Sequence, residues 1–184
     1  ESVIPFLNEL DVTAKEIGAV NCIKISWEND IPYLKGYNTD YYGFAQSIKP
    51  FLEPIHQKAL ILGTGGASKA IAYALKNVGV DFYYVTSGEK KAANYFHYSE
   101  LNEYVLNAFK LIVNCTPLGM YPKTEVCPDI PFQYLTAEHL LYDLIYNPEE
   151  TLFLQKGKVQ GAVTINGLNM LKLQADKAWE IWHS

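Results

Sequence analysis

The chain has 184 residues, 49% hydrophobic and 19% charged, an ordinary globular composition with enough apolar side chains for a real core. Its net charge of −5 with no basic run argues against nucleic acid as a main partner, and no apolar run is long enough to span a bilayer. All 15 basic residues are lysines, so a bound anion must be held by lysine, hydroxyls, backbone N–H groups or helix dipoles, never by a bidentate guanidinium fork.

Residues 2–10 have helix-like spacing (Val3, Phe6, Leu7, Leu10), and 11–16 follow as a polar connection. Residues 19–25 alternate as a strand does. After the turn-rich Glu28-Asn29-Asp30, residues 31–36 return, so 19–36 is expected to be a hairpin. Asn38-Thr39-Asp40 lies at its far end, before a helix at about 41–48. Pro50 and Pro54 bracket a linker. From Lys58 the pattern becomes strand–helix alternation. Short apolar strands fall at 59–62, 81–85, 111–114 and 140–144, and a further one at 159–164. Helices are expected at about 68–78, 99–108 and 148–156. The last segment, 168–182, places Leu168, Leu171, Ala175, Ala178, Trp179 and Trp182 on one helical face.

This alternation predicts an α/β fold built on a doubly wound, Rossmann-like parallel sheet. Residues 51–163 form that dinucleotide-binding domain, and residues 1–50 and 164–184 pack together as part of a second, truncated α/β substrate domain. Cys22, Cys115 and Cys127 have neither metal-site spacing nor a disulfide framework, and no signal-like start is present, which places the protein in a reducing cytoplasm. The chain starts at Glu1 rather than methionine, so sequence ahead of it is expected to have been removed.

The densest chemical signal is Gly63-Thr64-Gly65-Gly66-Ala67-Ser68 between an apolar strand and a helical segment. The strand delivers the chain to the sheet's carboxyl edge, the glycines let backbone approach phosphates, and the helix N-terminus offers free N–H groups. Asn114 and Thr116, after the strand at 111–114, lie where a cofactor would pass, and Tyr146 repeats that placement after 140–144. Asn38-Thr39-Asp40 reads equally as a helix cap, and Asn21 is an unusual amide within a strand.

Six segments in order and spacing resemble the shikimate dehydrogenase family over essentially the whole chain. They are Gly18-Ala19-Val20-Asn21, Gly36-Tyr37-Asn38-Thr39-Asp40, the 63–68 turn, the 114–120 loop (Asn114-Cys115-Thr116-Pro117-Leu118-Gly119-Met120), Asp143-Leu144-Ile145-Tyr146-Asn147-Pro148, and the 167–175 segment from Gly167 to Ala175. The resemblance implies reversible, nicotinamide-dependent reduction of 3-dehydroshikimate to shikimate, in aromatic amino-acid (chorismate) biosynthesis. It implies that Asn21, Asp40 and Gln174 bond substrate hydroxyls and that Tyr146 lies beside the substrate carboxylate. It also implies that Leu144, Gly167 and Met170 line the nicotinamide pocket. No metal is implied.

The family's chemistry pairs a lysine with the aspartate matched by Asp40. That lysine belongs to a Val-Thr-x-Pro-x-Lys-type motif, and Lys15 and Lys24 stand in other contexts. The chain therefore resembles a family member without its N-terminal portion, expected to be inactive by itself yet able to bind nucleotide. Loss of that portion is expected to expose apolar surface on 1–50 and on the Trp179/Trp182 helix and to promote self-association.

At the adenosine ribose the chain reads Thr86-Ser87-Gly88-Glu89-Lys90-Lys91. Two hydroxyls (Thr86, Ser87) and two ammonium groups (Lys90, Lys91) suit a 2′-phosphate better than a free ribose, so NADP is favoured, with NAD as the alternative. Glu89 opposes that preference. Two other readings remain at this stage: a quinate/shikimate-type dehydrogenase, and a non-catalytic nucleotide-binding module.

Overall fold

In the computed structural model, which describes residues 2–90 and 92–184, two sheets are joined by helices that pack across both. The smaller contains β1 (Glu9–Leu10), β2 (Cys22–Glu28) and β3 (Ile31–Tyr37) in the order β1-β3-β2. Strands β2 and β3 are antiparallel, paired from Cys22↔Tyr37 to Glu28↔Ile31. Their loop is Asn29-Asp30, with φ of 51° and 63°. Two consecutive left-handed residues twist a hairpin in the sense its strands require, and Asn and Asp tolerate that conformation best after glycine.

The hairpin was legible; the first ten residues were not. Where a helix is expected over 2–10, there is a single 3-10 turn at Ile4–Phe6, and then β1 pairs in parallel with β3. Where a polar connection is expected, α1 (Val12–Ile17) forms. Its ends explain it: the Asp11 carboxylate accepts from Thr13 N at 3.0 Å, and Gly18 closes the helix at φ 69°.

The larger sheet contains β4 (Lys58–Leu62), β5 (Asp81–Thr86), β6 (Tyr95–His97), β7 (Leu111–Asn114), β8 (Leu140–Asp143) and β9 (Val163–Ile165). All pairs are parallel and the order is β6-β5-β4-β7-β8-β9. This is the doubly wound sheet anticipated from the alternation. Its winding reverses between β4 and β7, and the crevice at such a reversal is where ligands bind in this class. Strand β6, with only three residues, is too short to stand out in the sequence; Tyr95 and Phe96 dock it by ring contacts with Tyr84 and Tyr83 of β5, with centroids 5.0 and 5.3 Å apart.

Both faces of this sheet are covered, which is why its strands read as unbroken apolar runs. On one face Ala59 and Ile61 of β4 pack with Ile71 and Leu75 of α3 (Gly66–Asn77) and Phe44 and Ile48 of α2 (Asp40–Ile48). On the other, Leu60 and Leu62 pack with Leu106 of α4 (Glu103–Ala108) and Phe153 and Leu154 of α5 (Leu152–Val159). Helices α4 and α5 both begin later than the sequence spacing suggests, because Asn102 and Thr151 cap them.

Helix α6 (Leu168–His183) runs beside α2. A Cβ on Gly43 would lie 2.6 Å from the Met170 carbonyl, so the crossing is as close as backbones permit. Trp182 Nε1 donates to the Ile23 carbonyl at 3.0 Å, tying α6 to the hairpin. Ser47 and Tyr142 share a 2.6 Å hydroxyl contact that ties α2 to β8, and burial pushes the Tyr142 phenol up to about 12. No helix among the described residues is long and apolar enough to cross a membrane.

Candidate active site

Strand β4 ends at Leu62, and the turn that follows needs glycine at its first position. Gly63 sits at φ +97°, and its N–H donates to the Val85 carbonyl at 2.9 Å. Gly65 is the cap residue of α3 and supplies no side chain, so the first amides of this 12-residue helix have no side-chain cap. A Cβ on Gly65 or Gly66 would meet nothing within 4 Å. An uncapped helix N-terminus behind an open, side-chain-free lip fits a pyrophosphate. Thr64 is exposed at the turn, whereas the buried Ser68 hydroxyl donates to the Gly65 carbonyl at 2.6 Å and only shapes the turn.

Two adjoining clefts lie beside Ala67, just past this lip. The larger, about 440 Å³, lies between the loops after β7 and β8, with Cys115, Thr116 and Met120 on one wall and Leu144 and Tyr146 on the other. The smaller, about 140 Å³, is lined by Asp40, Gly167, Met170 and Gln174. Ala67, Leu144 and Tyr146 belong to both. Residues expected to hold nicotinamide and residues expected to hold substrate thus line adjoining clefts that share three residues.

Asn21 is the hub of the polar side. Its Nδ2 donates to Asp40 Oδ1 at 2.8 Å, Gln174 Oε1 at 3.0 Å and Thr39 Oγ1 at 3.1 Å, while its Oδ1 accepts from Thr39 N at 2.8 Å. Three residues 19 to 153 positions from one another in sequence meet here. Burial raises the Asp40 carboxyl above its ordinary value, and the Asn21 hydrogen bond opposes that rise. Among the described residues no lysine pairs with Asp40. Asn38 orders the start of α2 by accepting from Asp40 N at 3.1 Å, so capping and site roles coexist in this motif.

The ribose end is less open than its residue types suggest. Thr86 is buried and its hydroxyl accepts from Gly88 N at 3.0 Å. Lys90 Nζ is 2.6 Å from Glu100, whose other oxygen accepts from His97 N at 2.6 Å. Ser87 is exposed, and Lys91 lies outside the described residues. No set of three or more His, Cys, Asp or Glu side chains suited to a metal occurs among the described residues.

A shikimate dehydrogenase (NADP(+)) from Desulforamulus reducens is 38% identical over 200 residues, covering 99% of this chain and 67% of that protein. The chain belongs to the shikimate dehydrogenase family. It spans about two thirds of the length of the curated relatives it matches. A chorismate mutase/shikimate 5-dehydrogenase fusion protein from Clostridium acetobutylicum has a TM-score of 0.83 at 38% identity, over 98% of this chain and 66% of that one. The shikimate 5-dehydrogenase from Thermus thermophilus, solved with NADP(H) and shikimate, has a TM-score of 0.82 at 29% identity, over 99% and 69%. No family model matches the chain.

Two residues that the sequence reading assigns no role lie beneath the candidate site. Asp143 and Thr151, both fully buried, join Asn114 in a closed network under the larger cleft. Burial pushes the Asp143 carboxyl up to about 6, against hydrogen bonds from Thr151, Ile145 N and Asn114 that pull it down. A raised folded-state value means that the folded chain holds this proton more tightly than the unfolded chain. The contribution is therefore most favourable below the unfolded value and is lost as pH rises through about 6. The loss is on the order of 3 kcal/mol. Thermal melts from pH 4 to 7 are expected to show this fall, and Asp143→Asn should flatten it; an unchanged slope in the variant contradicts the assignment.

Proposed function

We propose that this chain supplies the cofactor cradle and the Asp40 side of the active site for reversible, NADP-dependent interconversion of shikimate and 3-dehydroshikimate. The observation that carries this reading is the meeting of Asn21, Asp40 and Gln174 beside a cleft that is also lined by Ala67, the residue after the open Gly65–Gly66 lip. A hydroxyl-bearing ring needs several fixed polar partners, since each buried donor or acceptor left unpaired costs about 1–3 kcal/mol. These three side chains hold one another in place and offer such partners together.

The nucleotide, when bound, would supply or accept hydride. The backbone of residues 63–68 would hold its pyrophosphate, and Leu144, Gly167 and Met170 would flank the ring. Asp40 orients the substrate hydroxyl that becomes the carbonyl and sits where an ammonium partner would complete proton transfer. Tyr146, half-exposed between the clefts, would lie beside the substrate carboxylate. Residues 1–50 and 164–184 act as the substrate side and 51–163 as the dinucleotide side; the close α2–α6 crossing supports that grouping.

Since no lysine pairs with Asp40 among the described residues, the 184-residue chain is expected to turn over shikimate with NADP negligibly while still binding the nucleotide. Appearance of reduced nicotinamide at an ordinary enzymatic rate would overturn this. For cofactor choice, Ser87 and Lys90 favour NADP, but Glu100 competes for Lys90. Calorimetry should give NADP an advantage of about fivefold over NAD, the scale of one exposed ion pair. Equal or NAD-favouring dissociation constants contradict the preference.

The exposure of Ile25, Trp27, Trp179 and Trp182 supports self-association through the β2–α6 surface. Three unbridged cysteines support a cytoplasmic setting.

A further inference from the structure

A carboxylate is the least expected group beneath this cleft. In its register row β4 has the apolar Leu62 and β7 has the neutral Asn114, and a buried charge is unfavourable unless fully hydrogen-bonded. Asp143 has no exposed surface and uses both oxygens. Oδ1 accepts from Asn114 Nδ2 at 3.0 Å and from Ile145 N at 3.1 Å, and Oδ2 accepts from Thr151 Oγ1 at 2.6 Å. Each partner passes the restraint on. Asn114 Oδ1 accepts from Thr116 N at 2.9 Å and Thr116 Oγ1 at 2.7 Å, and Thr151 Oγ1 caps α5 at Leu154 N. Gly119, at φ +103°, lies so close to Thr151 that an added Cβ would be 3.5 Å from the Thr151 Cβ. Tyr121 N donates to the Asn147 carbonyl at 3.2 Å, closing the far side.

We propose that Asp143 is a positioning residue for the nucleotide: its carboxylate clamps the turn after β7, the turn after β8 and the start of α5 together. It thereby fixes the two walls of the larger cleft at one separation. The residues that face the cleft, Cys115, Thr116, Leu144 and Tyr146, all lie within three positions of a clamped atom. Asp143 itself does not reach the cleft, so it acts through those walls rather than as a ligand. Among the described residues the titratable group that interacts with it is Cys115, whose thiol is driven up by its own burial and then by the Asp143 charge.

This inference rests on the cofactor reading above, and two measurements on the 184-residue chain separate the two. Amide hydrogen exchange needs no ligand. In Asp143→Leu, exchange at Thr116 and Ile145 is expected to rise about tenfold, the equivalent of one lost net hydrogen bond, with Leu60 and Ile61 of β4 unchanged. NADP affinity should fall by about the same factor. Asp143→Asn keeps the Oδ1 acceptor and should restore both to within about threefold. Thr151→Val, which cuts a single arm, gives the same local pattern more weakly and serves if the leucine variant does not fold. Unchanged exchange at Thr116, or faster exchange with unchanged NADP affinity in a folded variant, overturns the proposal. Failure of the wild-type chain to bind NADP overturns the cofactor reading, and with it the positioning role, even where exchange responds.

Discussion

Gly167→Ala is expected to lower the melting temperature by about 6–12 °C, the consequence of losing roughly 3 kcal/mol in a chain of this size. Backbone conformation is not the reason, since Gly167 sits at φ −77° and ψ −1°, where alanine is comfortable. Space is the reason. An added Cβ would lie 2.0 Å from the Leu144 carbonyl oxygen and 2.5 Å from its carbonyl carbon. Those are backbone atoms, and they cannot step aside. Leu144 N is bonded to the Asn114 carbonyl at 3.1 Å, and Gly167 N to the Ile145 carbonyl at 3.0 Å. Relief requires the start of α6 to part from the end of β8, which also opens the smaller cleft. Gly66→Ala is the natural control, because its Cβ meets nothing, and it should leave the melt unchanged or raise it slightly. A Gly167→Ala melt indistinguishable from wild type would refute the packing argument.

Gly65→Val should do the reverse, sparing the fold and removing the ligand. Its φ of −79° and ψ of −175° suit a β-branched residue, and no heavy atom lies within 4 Å of the new Cβ. The side chain would stand over the uncapped amides of α3. A phosphate excluded from them forfeits charge-assisted hydrogen bonds and the helix-end potential, so NADP affinity should fall about 100-fold or more. Fluorescence titration paired with a thermal melt reads both quantities. Affinity within a few-fold of wild type would place the phosphates elsewhere.

How legible all this was depends on the range of the interactions concerned. The β4–turn–α3 unit is local: an apolar run, glycines and helical spacing within 59–75 specify it, and the structure follows them. The 2–10 segment fails for the opposite reason. Its apolar residues have helical spacing, but only a single 3-10 turn forms around Pro5, Leu7 is extended, and pairing of Glu9 and Leu10 with Lys35 and Gly36 decides the rest. Helix α1 was in plain view through Asp11 and Gly18, a cap at each end that polar composition obscured.

In the candidate site, Asn21, Asp40 and Gln174 are implied by the family resemblance, and the structure adds that Asn21 hydrogen-bonds both of the others. Asn114 stands out in the sequence as a polar strand end, yet its partner Asp143 is 29 residues away and Thr151 reads as a simple helix cap. The pairing of Lys90 with Glu100 was equally invisible, because either charge alone reads as solvated surface.

In the proposed function the 63–68 turn and the Asn21–Asp40–Gln174 cluster border a single nucleotide-and-substrate site. Titrating the isotopically labelled chain with NADP and following backbone amide resonances tests it most directly. Saturable shifts should concentrate at Gly63–Ser68, Thr116, Leu144–Tyr146 and Gly167, with the hairpin tip at Asn29 and Asp30 silent. No saturable shift, or shifts centred on the opposite edge of the sheet around Lys58, Gly79 and Asn94, would contradict it.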